Sequence, residues 1–500
     1  MSSTDKVKST PRKKTGLFIF HRDFRLEDNI GVNYACSQCD KLYTAFIFTP
    51  QQVGPQNAFR SFHAISFMIQ SLEDLDEKIH DKGGELLYFY GNQTDVLQNL
   101  LKILDIDIIV ENRDYTPYAI QRENDTMKLC LRISSQTREN VGLPQIEYVA
   151  VSGDYYIFEP CTILTGSNTA YKKFTPFYNR VLPLLLKNRI SPERQSPRLG
   201  RILGKLSSSV YNKIKHRITI ENAKRTFVTT ATTTVETPPE GGRTVALHVL
   251  RRSSVAQKEY NNKHDILTYD TSHLSAYLKF GCISVREMYR TLTDKYGNNS
   301  AIIRQFLWRE FYAHVLYAYP YVLSDDYKGN YLKLKWREEN ATTERYFDAW
   351  KRGKTGFPVV DAGMRQLNAT GFMHNRARLI VAYFLCKTMY INWRKGENYF
   401  AKKLVDYDVA SNNGNWRTVA SVGVDFSPYY NTINPFIQQH KFDPDCKYVK
   451  RWVPELWDIE PRDILNWDKE ENRQKYKTEY PDPICDLQIQ KDKLKHYYGV

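Results

Sequence analysis

Five short apolar runs rich in β-branched and aromatic residues punctuate the first 151 residues: LFIF (17–20), LYTAFIF (42–48), ELLYFY (85–90), IDIIVEN (106–112) and IEYVAV (146–151). Helical stretches separate them, the longest running from about Asn57 to a stop at Gly83 and Gly84. Apolar strands alternating with helices require a parallel sheet covered on both faces, because every crossover lays a helix against it. Neither G-x-G-x-x-G nor G-x-x-x-x-G-K-[ST] occurs, so the usual phosphate-cradling loops are missing. Residues 16–152 therefore read as an α/β, Rossmann-like layer without its nucleotide fingerprint.

The pattern changes beyond this layer. Residues 153–243 read as a long connector, rich in Ser, Thr, Lys, Arg and Pro from about Asn188 onward (SPERQSPRLG, TTATTTVETPPEGG). Residues 244–500 read as an all-α domain. In HLSAYLKFG the apolar positions Leu274, Tyr277 and Leu278 precede a stop at Gly281, and all eight tryptophans lie at or after Trp308. Residues 1–15 are polar and basic and read as a disordered leader. A formal charge of +15 favours an anionic partner, nucleic acid first. No run has the length of a membrane span, and no secretory signal opens the chain. Eight scattered cysteines suit a reducing intracellular setting, nucleus or cytoplasm. The lone C-x-x-C of Cys36 and Cys39 reads as structural rather than metal-binding.

Chemistry concentrates between Gly353 and Trp416. Pro358 opens a helix there, Val360, Met364 and Leu367 mark its buried face, and Gly371 ends it. A second helix begins near Asn375 with Arg376 and Arg378 in its first turn, where the helix dipole disfavours cations. Asp406 and Asp408 follow, just before the loop SNNGN. Polar groups inside apolar runs need partners, and a bound ligand would supply them. No Ser–His–Asp arrangement or metal-ligand spacing accompanies them. The residues fit a bound organic cofactor and nucleic acid.

Over nearly its whole length the sequence resembles the DNA photolyase/cryptochrome family. The motifs run from FIFHRDFRLEDN through TSHLSAYLKFG, FLWREFYAHVL, WKRGKTGFPVVDAGMRQLNATGFMHNRAR and DYDVASNNGNW to INPFIQQHKFDP. The NNGNW and INPFIQQHKFDPD segments look most like class I cyclobutane-pyrimidine-dimer photolyases. The resemblance implies an antenna domain followed by a helical domain holding FAD. Tyr260, Thr271, Ser272, His273, Leu274 and Ser275 would hold its phosphates and ribityl chain, with Arg309 and Tyr407 also at the cofactor. Arg378 and Asp406 would form a charged pair beside the isoalloxazine. Asp408 would accept a flavin hydrogen bond, and Asn412 would face N5. Trp416, Trp393 and Trp336 match the family's electron-transfer chain. Gln305, Trp308 and Asn375 would line the dimer pocket, and His264, Tyr312, Arg376, Thr418, Gln438 and Lys441 would contact DNA.

The implied reaction is light-driven repair, in which excited reduced FAD passes an electron to a flipped-out pyrimidine dimer. The implied partner is UV-damaged DNA, bound by a monomer. Three positions depart from the pattern: Gln305 replaces a usual glutamate, Thr418 a usual tryptophan and His264 a usual arginine. Gln305 and Thr418 favour an alternative, a cryptochrome-like blue-light receptor with weak or no repair. Asn412 and the basic charge favour repair. A second antenna chromophore is open between methenyltetrahydrofolate, a deazaflavin, a flavin or none.

Overall fold

The computed structural model describes residues 12–139, 143–188, 190–228, 237–325, 336–425 and 433–498. All five apolar runs form strands: β1 Thr15–Phe20, β2 Lys41–Phe48, β3 Leu86–Tyr90, β4 Ile108–Asn112 and β5 Glu147–Val151. They pair in parallel in the order β3-β2-β1-β4-β5. The order reverses between β1 and β4, so the crevice beyond their carboxyl ends is where an open α/β sheet binds ligands. Side-chain caps start the crossover helices. Asn29 accepts from Val32 N–H ahead of Ile30–Gln38, and Ser61 accepts from Ala64 N–H ahead of Phe62–Asp81. Thr116 caps Pro117–Ile133, whose proline occupies the first turn. Cys36 and Cys39 are buried beside this sheet, and all eight cysteines are free thiols. Among the described residues no His, Cys, Asp and Glu cluster has metal geometry, and no helix is long and apolar enough to cross a membrane.

The span read as a surface connector is built differently. Helix Phe174–Lys187 buries Phe174, Phe177 and Val181 against the long helix Ala301–Ala318, and Phe174 stacks on Trp308. Helix Ile220–Phe227 packs on Phe62–Asp81. Leu203 and Arg217 form single bridges to β2 and β3. Apolar anchors every few residues thus hold this polar segment to both lobes; its residues 229–236 lie outside the described ones. Of the leader, residues 1–11 also lie outside. Arg12 pairs with Asp105 and Asp107, Lys14 with Glu147, and Thr15 already opens β1, so the end of that segment is tied to the sheet.

The rest is helical. The two lobes share one core, in which Phe24 stacks on Phe280 and Phe67 packs on both Phe280 and Tyr277. A second core holds Trp350, Trp393, Trp416, Trp452 and Trp467 in the helical lobe.

Candidate functional site

Helix Pro358–Thr370 ends as the sequence predicts, at Gly371 with φ 70°. His374 then caps Asn375–Tyr383, its Nδ1 accepting the Arg376 N–H at 3.2 Å. The neutral ring therefore carries its proton on Nε2, which is buried without a partner. Burial pushes the imidazolium down to about 4, with Arg376, Arg378 and His273 opposing the charge and Asp265 favouring it. A depressed folded-state value makes the contribution complete above pH 6.5 and lost as pH falls through about 4. His374→Asn keeps a capping oxygen and removes the titration. It should flatten the acid-side loss of urea stability by about 3 kcal/mol.

The cap aims the next turn. Arg378 donates through Nε to the Met373 carbonyl and through Nη2 to Asp406 Oδ2, both at 2.9 Å. Ser275 Oγ donates to the same carboxylate oxygen at 2.7 Å, while Asp406 Oδ1 is buried with no partner. Asp408 caps helix Val409–Val419 by accepting from Ser411 N–H at 2.9 Å. Burial alone would raise the Asp408 carboxyl, yet Lys279, Arg22 and Arg309 outweigh it and hold the group at about 2.

These groups surround a cavity lined by Asn375, Arg378, Asp406, Asp408, Asn412 and Trp416, with Leu379, Ala382 and Phe400 on its apolar side. Asn412 donates to the Glu397 carbonyl at 3.3 Å, leaving its own carbonyl for the cavity. A flat heteroaromatic with a polar edge fits this donor set, and the unpartnered Asp406 oxygen marks where such an edge would meet the protein. FAD's isoalloxazine is of that kind.

Other predicted residues sit elsewhere. Leu274 is 1% exposed, a core residue that can offer a ligand only its backbone. Thr271 and His273 border a separate groove with Phe372 and His374, and His273 is bonded to Asp270 at 2.8 Å. Ser272 accepts from Ser253 through its carbonyl. Tyr260 stacks on His264 with centroids 5.2 Å apart. Arg309 turns away from the cavity, donating to the Tyr155 carbonyl at 2.9 Å and lying over Tyr156. Tyr407 forms a wall shared by this cavity and the crevice of the sheet.

Arg376, expected at a lesion or phosphate, is paired with Asp265 and lies 4.5 Å over Phe442. Lys441 lies over the same ring at 5.1 Å, and His264 Nε2 is 3.7 Å from Asp265. Two cations and a histidine thus gather at one face, with Asp265 beside Arg376 and His264. Gln438 is half-buried on helix Pro435–Phe442 of that face. Gln305 is exposed, and Trp308, one helical turn away, has one face covered by Phe174 at 3.7 Å. Tyr312 and Thr418 line a second pocket beside Asp425 and not the one holding Asn375.

Trp416 and Trp393 are buried, and Trp336 is half-buried. Trp416 meets Phe400 at 5.0 Å and Trp350 at 6.3 Å, in space left by Gly396, where a Cβ would fall 2.2 Å from the indole. Trp393 is flanked by the guanidiniums of Arg394 and Arg417. Sequence reasoning missed Trp350, whose only local signal is a tryptophan on the buried face of an amphipathic helix. It also missed Phe174 and Arg22.

Residues 17–197 match the family profile for DNA photolyase, and residues 302–499 that for the FAD binding domain of DNA photolyase. The deoxyribodipyrimidine photo-lyase of Halobacterium salinarum is 31% identical over 494 residues, covering 94% of this chain and 96% of that protein. An archaeal photolyase from Sulfolobus tokodaii, solved with two FAD molecules, superimposes with a TM-score of 0.79 at 36% identity, over 97% of this chain and 99% of that one. A Synechocystis cryptochrome gives 0.81 at 25% identity, again over 97% and 99%.

Proposed function

The chain belongs to the DNA photolyase/cryptochrome family, and we propose that it is a deoxyribodipyrimidine photo-lyase that repairs cyclobutane pyrimidine dimers in DNA, acting as a monomer. The observation that carries this reading is the Arg378–Asp406 pair at a cavity shared with Asn375, Asn412 and Trp416. FAD held beside Arg378, Asp406, Asp408 and Asn412 would supply light-driven one-electron chemistry toward a pyrimidine dimer. The protein's own residues prepare that event. Arg378 and Ser275 fix Asp406, whose free oxygen would accept from the ring's polar edge. Asn412 presents a neutral amide at the cavity, and Asn375 links it to the surface that meets DNA. Trp416 opens the electron path toward Trp393 and Trp336, with Trp350 as a neighbouring ring.

Arg376, Lys441, His264 and Gln438 would meet the DNA backbone, and a flipped dimer would enter beside Asn375, Gln305 and the open face of Trp308. The class I assignment rests on the NNGNW and INPFIQQHKFDPD segments. Phe174 over Trp308 and Thr418 away from the cavity favour the second reading, a flavoprotein receptor with weak or no repair. Binding to a thymine-dimer oligonucleotide separates the two. Repair predicts preference over undamaged DNA, and a salt dependence whose slope shrinks by about one when Lys441 is replaced by Ala. Equal binding to both oligonucleotides would favour the receptor.

The crevice at the ends of β1 and β4 suits the second chromophore. It is a cleft whose lining mixes the polar His21, Arg22 and Asp114 with the aromatic Phe59, Tyr118 and Tyr407. That composition suits a planar ring, and methenyltetrahydrofolate, a deazaflavin and a flavin all provide one.

A further inference from the structure

An ion cluster at the carboxyl ends of β1 and β4 reaches across the lobes to the flavin-facing cavity. Arg22 is 7% exposed. Its Nη2 donates to Asp114 Oδ1 at 2.8 Å and to the Tyr156 hydroxyl at 3.3 Å, and its Nη1 donates to Asp408 Oδ2 at 3.3 Å. The guanidinium also lies 4.6 Å over the Tyr155 ring. Asp114 belongs to the α/β lobe and borders the crevice, whereas Asp408 borders the other cavity and caps the helix carrying Asn412 and Trp416. One planar fork therefore holds two carboxylates from different lobes, which a lysine cannot do. Lys279 and Arg309 add positive charge around Asp408 from the helical lobe. The preceding residue, Tyr407, is a wall common to both cavities.

We propose that Arg22 is an interlobe positioning residue: anchored by Asp114 and Tyr156, it fixes and partly neutralises Asp408 and so aligns the Asn412 helix against the flavin. This rests on the flavin reading of the cavity. Without Arg22 the Asp408 charge is less compensated beside the ring, which disfavours placing electrons there. The helix cap also loses its lateral support.

The test is a double-mutant cycle on the full chain, with FAD affinity, the reduction midpoint of the bound flavin and the thermal melt as readouts. Arg22→Met should raise the FAD dissociation constant about tenfold and move the midpoint to more negative values. Arg22→Lys should give a smaller shift of the same sign, and it carries the test if Arg22→Met does not fold. In an Asp408→Asn background the effect of Arg22→Met on the midpoint should largely vanish, because the charge it compensates is gone. Equal effects in both backgrounds, or a wild-type midpoint in Arg22→Met and Arg22→Lys alike, would overturn the inference while leaving the flavin reading intact. A wild-type chain that binds no FAD would overturn both.

Discussion

Arg378→Met should leave the purified protein nearly free of flavin. The Asp406 side chain is 5% exposed, and Arg378 is its charged partner, with Ser275 adding a hydroxyl. Deleting one member of such a pair strands a buried carboxylate at a cost of about 3–5 kcal/mol. The stranded carboxylate then draws in water, which spoils the edge that would meet the ring. An affinity loss on the order of a hundredfold or more corresponds to that energy. Flavin absorbance per protein and a titration with added FAD give the measure. Arg378→Lys should fall between, because an ammonium cannot serve both the Met373 carbonyl and Asp406 in the fixed geometry of a guanidinium. Full flavin content in Arg378→Met would place the isoalloxazine elsewhere.

Trp416→Phe should slow photoreduction of oxidised FAD by a factor on the order of a hundred. A phenyl ring keeps the apolar wall against Phe400 and Trp350 but is far harder to oxidise than an indole. The fold should survive, since the volume removed is modest. Repair by enzyme reduced chemically beforehand should be nearly unchanged, because that electron starts on the flavin. The pair of measurements separates delivery from chemistry. A normal photoreduction rate would show that electrons reach the flavin by a route that bypasses Trp416.

The sheet was legible in the sequence because each strand is a short β-rich run bounded by turns, and a doubly covered layer leaves those runs apolar throughout. The ends of Pro358–Thr370 were legible for equally local reasons, a proline in the first turn and a glycine at positive φ. Arg378 and Asp406 stood out as charges within apolar stretches, and the structure brings them together. What escaped was pairing between distant segments. Arg22 and Asp408 are 386 residues apart, and nothing near either announces the other. Phe174 lies in the span read as a connector but ahead of its polar stretch, on an apolar helix that packs it on Trp308. Arg376 carries the same local signal as Arg378 but turns the opposite way to Asp265, a choice made by helix orientation. Thr271 and His273 share a motif with Ser275 but border a neighbouring groove, a placement that no local signal in the motif gives.

Light-driven reversal of pyrimidine dimers is the activity to measure. The direct measurement incubates the FAD-loaded, reduced protein with an oligonucleotide carrying one thymine dimer and follows restored thymine with and without illumination. Restoration that rises with light dose, stays absent in the dark and is lost with Arg378→Met is the predicted result. Flavin-loaded, reduced protein that restores no more thymine in light than in darkness would contradict it.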